Sequence, residues 1–86
     1  MVIKYHKDFI KASKKLTVSQ KERLKQRLAL FGIDSFNPIL NNHALKGKYL
    51  GYRSINIGGD LRAIFQQARE GETSFILIDT HSNLYG

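Results

Sequence analysis

The sequence predicts an α+β fold in which two N-terminal helices pack on one face of a small, mostly antiparallel sheet. Three observations support this prediction. Apolar side chains recur at helical spacing over residues 9–31, alternate with period two over residues 52–57, and form a short continuous run within residues 73–79. With a short strand at residues 2–5, the element order is β-α-α-β-β-β, in a single domain that covers residues 1–86.

The helical region divides into two helices at Thr17. Thr17 is a good N-cap, and Gln20 three residues later completes a capping box, so the second helix is predicted to begin there. Gly32 is predicted to end this helix. The first helix places Phe9, Ile10 and Leu16 on one side, and the second has an apolar stripe of Val18, Leu24, Leu28 and Phe31.

The central hairpin is predicted to separate an apolar face from a polar one. Ile55 and Asn56 must point to opposite faces, because successive side chains of a strand alternate. A three-residue turn at residues 58–60 supplies glycines for positive φ angles. In that register Arg62 lies on the face of Asn56, with Asp60 at the tip of the hairpin. The helices are expected to cover the apolar face and leave this polar face open.

The charge of the chain points to an anionic partner. The chain has fourteen Lys and Arg and seven Asp and Glu, which gives a net charge of +7 on 86 residues. This charge favours a nucleic acid or an acidic protein segment as partner over a basic surface without a partner. Like charges four residues apart on a helix cost about 0.2–0.5 kcal/mol per pair. The second helix has two such pairs, Lys21/Lys25 and Arg23/Arg27, which favours a bound polyanion. A solvated face is also possible, because salt screens exposed charges.

Several protein classes are excluded or disfavoured by composition. The chain has no cysteine, which excludes disulfides and Cys-ligated zinc, and no metal or cofactor is expected. The apolar runs are far shorter than the ~20 residues that span a bilayer, so no membrane contact is expected. The sequence begins with Lys4, His6 and Lys7 rather than with an apolar signal segment, and a cytoplasmic protein is therefore expected.

Two short polar clusters contain the groups needed to cleave RNA without a metal. RNA carries its own nucleophile, the 2′-hydroxyl, so an enzyme must transfer protons and stabilise the phosphorane. His43 and His81 can transfer protons near neutral pH, and Arg53 or Arg62 can bind phosphate oxygens. Taken alone, a histidine is more often an ordinary surface residue than a catalytic one, and His6 is interpreted as such a surface residue.

Other members of these clusters have more than one interpretation. Asp60 can orient a histidine, act as a base, or serve as a turn residue, and local chemistry favours the turn. Arg53 and Arg62 can instead form ion pairs with an acidic residue among Glu70, Glu72 and Asp79. Tyr85 can stack on a base or cover the edge of the core.

The combination of motifs is more specific than any single residue. His-Ala-Leu-x-Gly-x-x-x-Gly-Tyr-Arg at 43–53, Gly-Asp at 59–60 and Thr-His-Ser-x-Leu-Tyr at 80–85 resemble the YafQ branch of the RelE/ParE toxin superfamily. The resemblance implies a RelE-like fold and a type II toxin-antitoxin toxin that cleaves mRNA in the ribosomal A site. It also implies a cognate antitoxin that neutralises the toxin in a hetero-oligomer, with a monomer when free.

The resemblance also implies roles for individual residues. His43, Asp60 and His81 match acid/base positions, and Tyr85 matches a terminal aromatic that contacts RNA. The chain departs from the YafQ pattern at Asn56, where the family has a further histidine, and at Leu61, where it has an aromatic residue. Arg62, in contrast, matches the phosphate-binding strand arginine of RelE itself.

A hybrid site is therefore expected. The predicted catalytic residues are His43, Asp60, Arg62 and His81, and the order of acid and base between the two histidines stays open. Two other functions remain as alternatives: an inert basic domain that binds RNA or the ribosome, and a ParE-like gyrase inhibitor. The predicted RNA-binding residues are Arg53, Asn56, Lys46, Lys48 and Tyr85.

Overall fold

The computed structural model describes residues 1–85, and at Tyr85 the backbone only. Three helices and five strands make up the fold, and two 3₁₀ turns, Pro38–Leu40 and Gly47–Tyr49, lie on either side of β2. The elements are β1 (Val2–Tyr5), α1 (Lys7–Lys14), α2 (Val18–Ile33), β2 (His43–Ala44), β3 (Arg53–Gly58), β4 (Leu61–Arg69), β5 (Glu72–Thr80) and α3 (His81–Tyr85).

The strands form one sheet in the order β1-β5-β4-β3-β2. β1 runs parallel to β5, and the other three pairings are antiparallel. The predicted α+β class and the mostly antiparallel sheet are confirmed. The sequence did not predict the two-residue strand β2, the two 3₁₀ turns or the C-terminal helix α3.

α1 and α2 cover one face of the sheet and form the main core with it. Phe31 of α2 packs edge-on against the rings of Phe65 and Phe75, with centroids 5.0 and 5.3 Å away. Phe9 of α1 lies 5.5 Å from the Phe75 ring. Both helices therefore lie on the same side of the sheet, because each has an aromatic ring in contact with Phe75. Such aromatic pairs add to the stability gained from burial alone. No helix within residues 1–85 combines the length and apolar character needed to cross a membrane.

The start of α2 is as predicted, and its end differs slightly. The Thr17 hydroxyl accepts from the Gln20 backbone N–H, and the Gln20 side chain accepts from the Thr17 N–H, which completes the capping box. The helix continues through Gly32 to Ile33. The prediction for Val18 was wrong: it is 85% exposed, whereas Leu24 and Phe31 of the same stripe are buried.

The β3–β4 hairpin has the predicted faces but a different turn. Gly58 pairs with Leu61, so the turn has two residues instead of three, and Ile57 is an extra, bulged residue. Asn56 pairs directly with Arg62. These two side chains therefore lie on the same face, as the alternation predicted.

A matched pair of isoleucine substitutions tests where the core lies. Ile55→Ala removes a side chain that is 0% exposed and should lower the free energy of unfolding by about 2–5 kcal/mol. Ile33→Ala removes the same atoms from a residue that is 87% exposed and should change that free energy by less than about 0.5 kcal/mol. Urea denaturation followed by circular dichroism measures both, and equal losses would contradict the described core.

Candidate active site

We refer to the side of the sheet that faces away from α1 and α2 as the open face. Three polar residues lie side by side on it, because Arg62 pairs with Asn56 of β3 on one side and with Asp79 of β5 on the other. Residues directly opposite each other in an antiparallel ladder have neighbouring side chains. The open face thus has a polar row across its three central strands.

Arg62 is half-buried, and its hydrogen-bonding capacity is only partly used. Its Nη1 donates to the backbone carbonyls of Gly59 at 3.0 Å and Leu61 at 2.9 Å, which holds the guanidinium against the hairpin turn. Its Nε and the Oδ1 of Asn56 are buried, and neither has a hydrogen-bond partner among residues 1–85. A buried donor left without a partner costs about 1–3 kcal/mol, so an anionic ligand that accepts from Arg62 would be favoured.

The acidic residues that could have neutralised Arg62 are engaged elsewhere. Asp79 Oδ1 accepts from the Thr80 N–H at 2.8 Å and from Asn83 Nδ2 at 2.9 Å. Glu72 lies beside Lys4, with Nζ and Oε1 2.8 Å apart, and near Arg69 at 3.4 Å. The hydrogen bond from Lys4 lowers the pKa of the Glu72 carboxyl, so this residue remains a carboxylate at the far end of the sheet.

The start of α3 is fixed to the tip of the β3–β4 hairpin. The His81 N–H donates to the Asp60 carbonyl at 2.7 Å, and the Ser82 hydroxyl donates to Asp60 Oδ2 at 3.3 Å. The Thr80 hydroxyl accepts from the Asn83 N–H at 3.1 Å and acts as an N-cap. The structure therefore brings Asp60 and His81 together, at the end of the sheet that carries Arg62.

His43 lies on the open face as well, on the edge strand β2. It lies on β2 opposite Ser54, which is on the same face as Asn56, and its Nδ1 is 2.8 Å from the Asn41 carbonyl. Strand spacing and rise place the Cα atoms of His43 and Arg62 about 12 Å apart. Side chains of this length can span such a distance to contact one phosphate from two sides.

A cavity of about 460 Å³ joins the β2 segment to α3, and we call it the β2–α3 cavity. His43, Leu45 and Lys46 line it on one side, and Leu84 of α3 lines it on the other. Leu45 is buried although it is outside the main core, so the cavity has an apolar wall on the side of the β2 segment.

The remaining predicted site residues are spread more widely. Arg53 pairs with Phe65 and therefore lies on the helix-covered face, away from Arg62. Its Nε donates to Asn42 Oδ1 at 2.8 Å, and its guanidinium lies 5.4 Å from the centre of the Phe36 ring. The structure thus gives Arg53 a part in holding the loop before β2, and does not bring it together with the other site residues.

Lys46 lines the β2–α3 cavity, whereas Lys48 lies over the Tyr49 ring at 5.2 Å. The side chain of Tyr85 lies outside the described residues, so its predicted contact with RNA stays a prediction. His6 caps α1 by accepting from the Asp8 N–H at 3.1 Å. Within residues 1–85, no group of three or more His, Asp or Glu side chains is arranged to hold a metal ion.

Sequence reasoning missed Thr80, Ser82 and Asn83, which build the start of α3. A Thr followed three residues later by an amide side chain at the end of a strand is a helix-start pattern that could have indicated this turn. Sequence reasoning also missed Asn41, whose φ of 47° is the one positive value of a non-glycine residue within residues 1–85.

No protein-family model matches the chain, and no curated protein matches it in sequence. Solved structures do match. The crystal structure of YafQ from E. coli strain BL21(DE3) superposes with a TM-score of 0.74 and 23% identity, covering 98% of this chain and 97% of that one.

Two further structures give the same result. A YoeB/ParE toxin from Agrobacterium tumefaciens has a TM-score of 0.75 and 15% identity, covering 94% of this chain and 99% of that one. The E. coli DinJ-YafQ toxin-antitoxin complex has a TM-score of 0.71 and 24% identity, covering 98% of this chain and 96% of that one. The chain has the fold of these toxins. The RelE-like fold that the motif resemblance implied is therefore confirmed.

Removal of the Ser82 hydroxyl tests how α3 is held. Ser82→Ala deletes the side-chain bond to Asp60 but leaves the backbone bond of His81. We expect α3 to open more often, with amide hydrogen exchange at His81 accelerated by about 2- to 10-fold, as the loss of one hydrogen bond of about 0.5–1.5 kcal/mol implies. Ser19→Ala in α2 is the control, and unchanged exchange at His81 in Ser82→Ala would contradict the described anchor.

Proposed function

We propose that this chain is the toxin of a toxin-antitoxin system and cleaves mRNA without a metal, at the ribosome in the cytoplasm. The observation that carries this proposal is the partly unsatisfied guanidinium of Arg62, which lies beside Asn56 on the open face. His43 lies on the same face of the sheet, on β2, and His81 begins α3 at the end of the sheet that carries Arg62. The shared fold with YafQ and YoeB/ParE toxins supports the same function.

The proposed reaction follows from these groups. One histidine removes the proton of the RNA 2′-hydroxyl, and the 2′-oxygen forms a bond to the adjacent phosphorus. Arg62 stabilises the charge on the phosphorane, and Asn56 donates a hydrogen bond to it. The other histidine gives a proton to the 5′-oxygen as its bond to phosphorus breaks. The products are a 2′,3′-cyclic phosphate and a 5′-hydroxyl, and each proton transfer contributes roughly 10²–10⁴-fold.

The ribosome has a definite part in this proposal. His81 and Asp60 are exposed, and therefore lie outside the kind of enclosed pocket in which enzymes orient small substrates. Few groups are therefore available to fix an RNA strand in the in-line geometry. The net charge of +7 would draw the chain to ribosomal RNA, and the ribosome would hold the mRNA in position.

A second surface has the chemistry to bind the antitoxin. A groove of about 460 Å³ lies between α1 and α2, with an apolar floor that includes Phe9 and Leu24. Its rim carries Lys14, Lys21 and Lys25. A groove of this kind suits an amphipathic segment with acidic residues on its outer side. The solved DinJ-YafQ complex supports an antitoxin as the partner. In the proposal the chain is a monomer when free and forms a hetero-oligomer with the antitoxin.

Growth and RNA cleavage test the nuclease. Expression should stop growth and leave mRNA fragments that end in a 2′,3′-cyclic phosphate. Arg62→Ala or His81→Ala should lower cleavage by about 10²-fold or more, with the fold intact by circular dichroism. Arg69→Ala is the matched control, because it removes an exposed arginine from the far end of the same strand, and it should retain cleavage within about threefold.

The alternatives predict different outcomes. DNA damage with intact mRNA would indicate a ParE-like gyrase inhibitor. Growth arrest that survives substitution of both His43 and His81 would indicate a domain that binds RNA without chemistry.

Charge reversal tests the groove between α1 and α2. Lys21→Glu with Lys25→Glu should weaken antitoxin binding by about 10-fold or more and leave RNA cleavage unchanged. Lys11→Glu with Lys15→Glu makes the same change in net charge at the same spacing, but outside the groove. Isothermal titration with the antitoxin encoded beside this gene compares the two, and equal losses would contradict this docking surface.

A further inference from the structure

We infer that a cavity on the open face, which we call the Tyr52 cavity, binds one unpaired nucleobase of the RNA strand. The cavity has a volume of about 450 Å³, and Tyr52, Gln66 and Ser74 are among the residues that line it. The inference rests on the proposed function, because it names where a further nucleotide of the same RNA is held. It assigns no residue to the chemical step.

The Tyr52 cavity lies on the same face of the sheet as Arg62. Gln66 is four residues after Arg62 on β4, and strand residues an even number apart point to the same face. Gln66 pairs with Ser74 of β5, so these two side chains are neighbours. The rise of a strand puts the Cα atoms of Gln66 and Arg62 about 13 Å apart. At that distance, a base in the cavity belongs to a nucleotide other than the one whose phosphate contacts Arg62.

A bulge in β5 gives the cavity an apolar wall. Ile64 of β4 pairs with Leu77. Phe65, the next residue, pairs with Phe75, which leaves Ile76 as the extra residue. Ile76 and Leu77 both line the cavity, and both are half-buried. Apolar surface beside a few polar groups, in a volume of roughly 300–1,000 Å³, is the usual composition of a small-ligand site.

Tyr52 supplies an aromatic ring that other contacts hold in place. The ring is half-buried and meets the Tyr49 ring edge to face, with centroids 6.5 Å apart and an interplanar angle of 87°. The Tyr52 backbone N–H donates to the Tyr49 carbonyl at 3.0 Å. Unpaired bases of RNA stack on aromatic side chains, and a ring that is already held loses little conformational freedom when a base binds.

Gln66 and Ser74 offer hydrogen-bonding groups to the edge of a base. The amide of the adjacent Gln67 is engaged, because it donates to the Arg69 carbonyl at 3.0 Å and accepts from the Thr73 hydroxyl at 3.3 Å. Within residues 1–85, the Gln66 amide and the Ser74 hydroxyl form no such bond. An amide both donates and accepts, so it can bind the neighbouring donor and acceptor groups that a base presents on its edge.

The charge of the lining favours a base over a phosphate. Among the residues that the structure describes, the lining contains no Lys or Arg, and Asp8 at its rim would repel a phosphate. His6 beside it serves as the N-cap of α1 and accepts from the Asp8 N–H at 3.1 Å. The groove between α1 and α2, in contrast, has three lysines on its rim. A neutral group with hydrogen-bonding edges is therefore the better fit to the Tyr52 cavity.

Binding of an RNA that cannot be cleaved tests the Tyr52 cavity in the intact chain. A short 2′-O-methyl oligoribonucleotide is compared with versions that lack the base at one nucleotide at a time, by fluorescence anisotropy at low salt. Gln66→Ala should weaken binding of the complete oligonucleotide by about 3- to 10-fold. We expect one position at which loss of the base weakens binding to the wild-type chain, and at which Gln66→Ala causes no further loss.

Gln67→Ala is the matched control, because it removes the same kind of side chain from the next residue of β4, which points to the other face. It should bind every oligonucleotide within about twofold of wild type. Equal weakening of all oligonucleotides by Gln66→Ala, with or without the base, would overturn the inference. Unchanged RNA binding by Gln66→Ala with weaker binding of the antitoxin would also overturn it, and would assign the cavity to the protein interface.

Two substitutions of Tyr52 test the stacking. Tyr52→Phe keeps the ring and should bind the oligonucleotide within about twofold of wild type. Tyr52→Leu removes the ring and should weaken binding by about 5- to 100-fold, as the loss of one stacked base implies. Thermal unfolding monitors both variants. Equal affinities of the two folded variants would contradict the stacking role.

Failure of the inference and failure of the proposed function give different results. Cleavage is measured separately, on RNA that retains its 2′-hydroxyls. Base-specific binding in the cavity by a chain that cleaves no mRNA would refute the nuclease and leave the base subsite. Cleavage of mRNA by a chain whose binding shows no dependence on Gln66 or Tyr52 would refute the subsite and leave the nuclease.

Discussion

The candidate site depends on one contact, the hydrogen bond from the His81 N–H to the Asp60 carbonyl at 2.7 Å. It joins the tip of the β3–β4 hairpin to the end of β5, two places 21 residues apart in the chain. A five-residue helix such as α3 is too short to be stable alone, because helix nucleation is unfavourable and needs tertiary contacts to offset it. The hairpin tip supplies those contacts, and with them the position of His81 at the end of the sheet that carries Arg62.

The open face retains polar groups that the fold itself does not satisfy. Ser54 Oγ, Asn56 Oδ1 and Arg62 Nε are buried and lack partners among residues 1–85. Most proteins pair nearly all such atoms, so a cluster of them is a cost that function can explain. The opposite face shows no such cost, because Phe31, Phe65 and Phe75 fill it with aromatic contacts. Stability thus resides on one side of the sheet and the proposed chemistry on the other.

Local patterns predicted the elements whose signals are local. Strand alternation placed Asn56 and Arg62 on one face, and the capping box at Thr17 placed the start of α2. The same alternation puts Arg53 on the face of Ile55, but its charge had suggested a phosphate-binding role. The two-residue strand β2 is too short to show a period, and α3 depends on Asp60, which is distant in sequence. The Asn41 carbonyl that lies 2.8 Å from His43 Nδ1 is a backbone group, so no residue type revealed this contact.

The most direct test of this account is where RNA binds on the fold. An NMR titration with a short 2′-O-methyl oligoribonucleotide, which lacks the nucleophile and is not cleaved, maps contacts without turnover. The account predicts that amide shifts change mainly at Asn56, Arg62, His43 and His81. Changes confined to the lysines of α1 and α2, with the open face unaffected, would contradict the claim that these four side chains form one RNA-cleaving site.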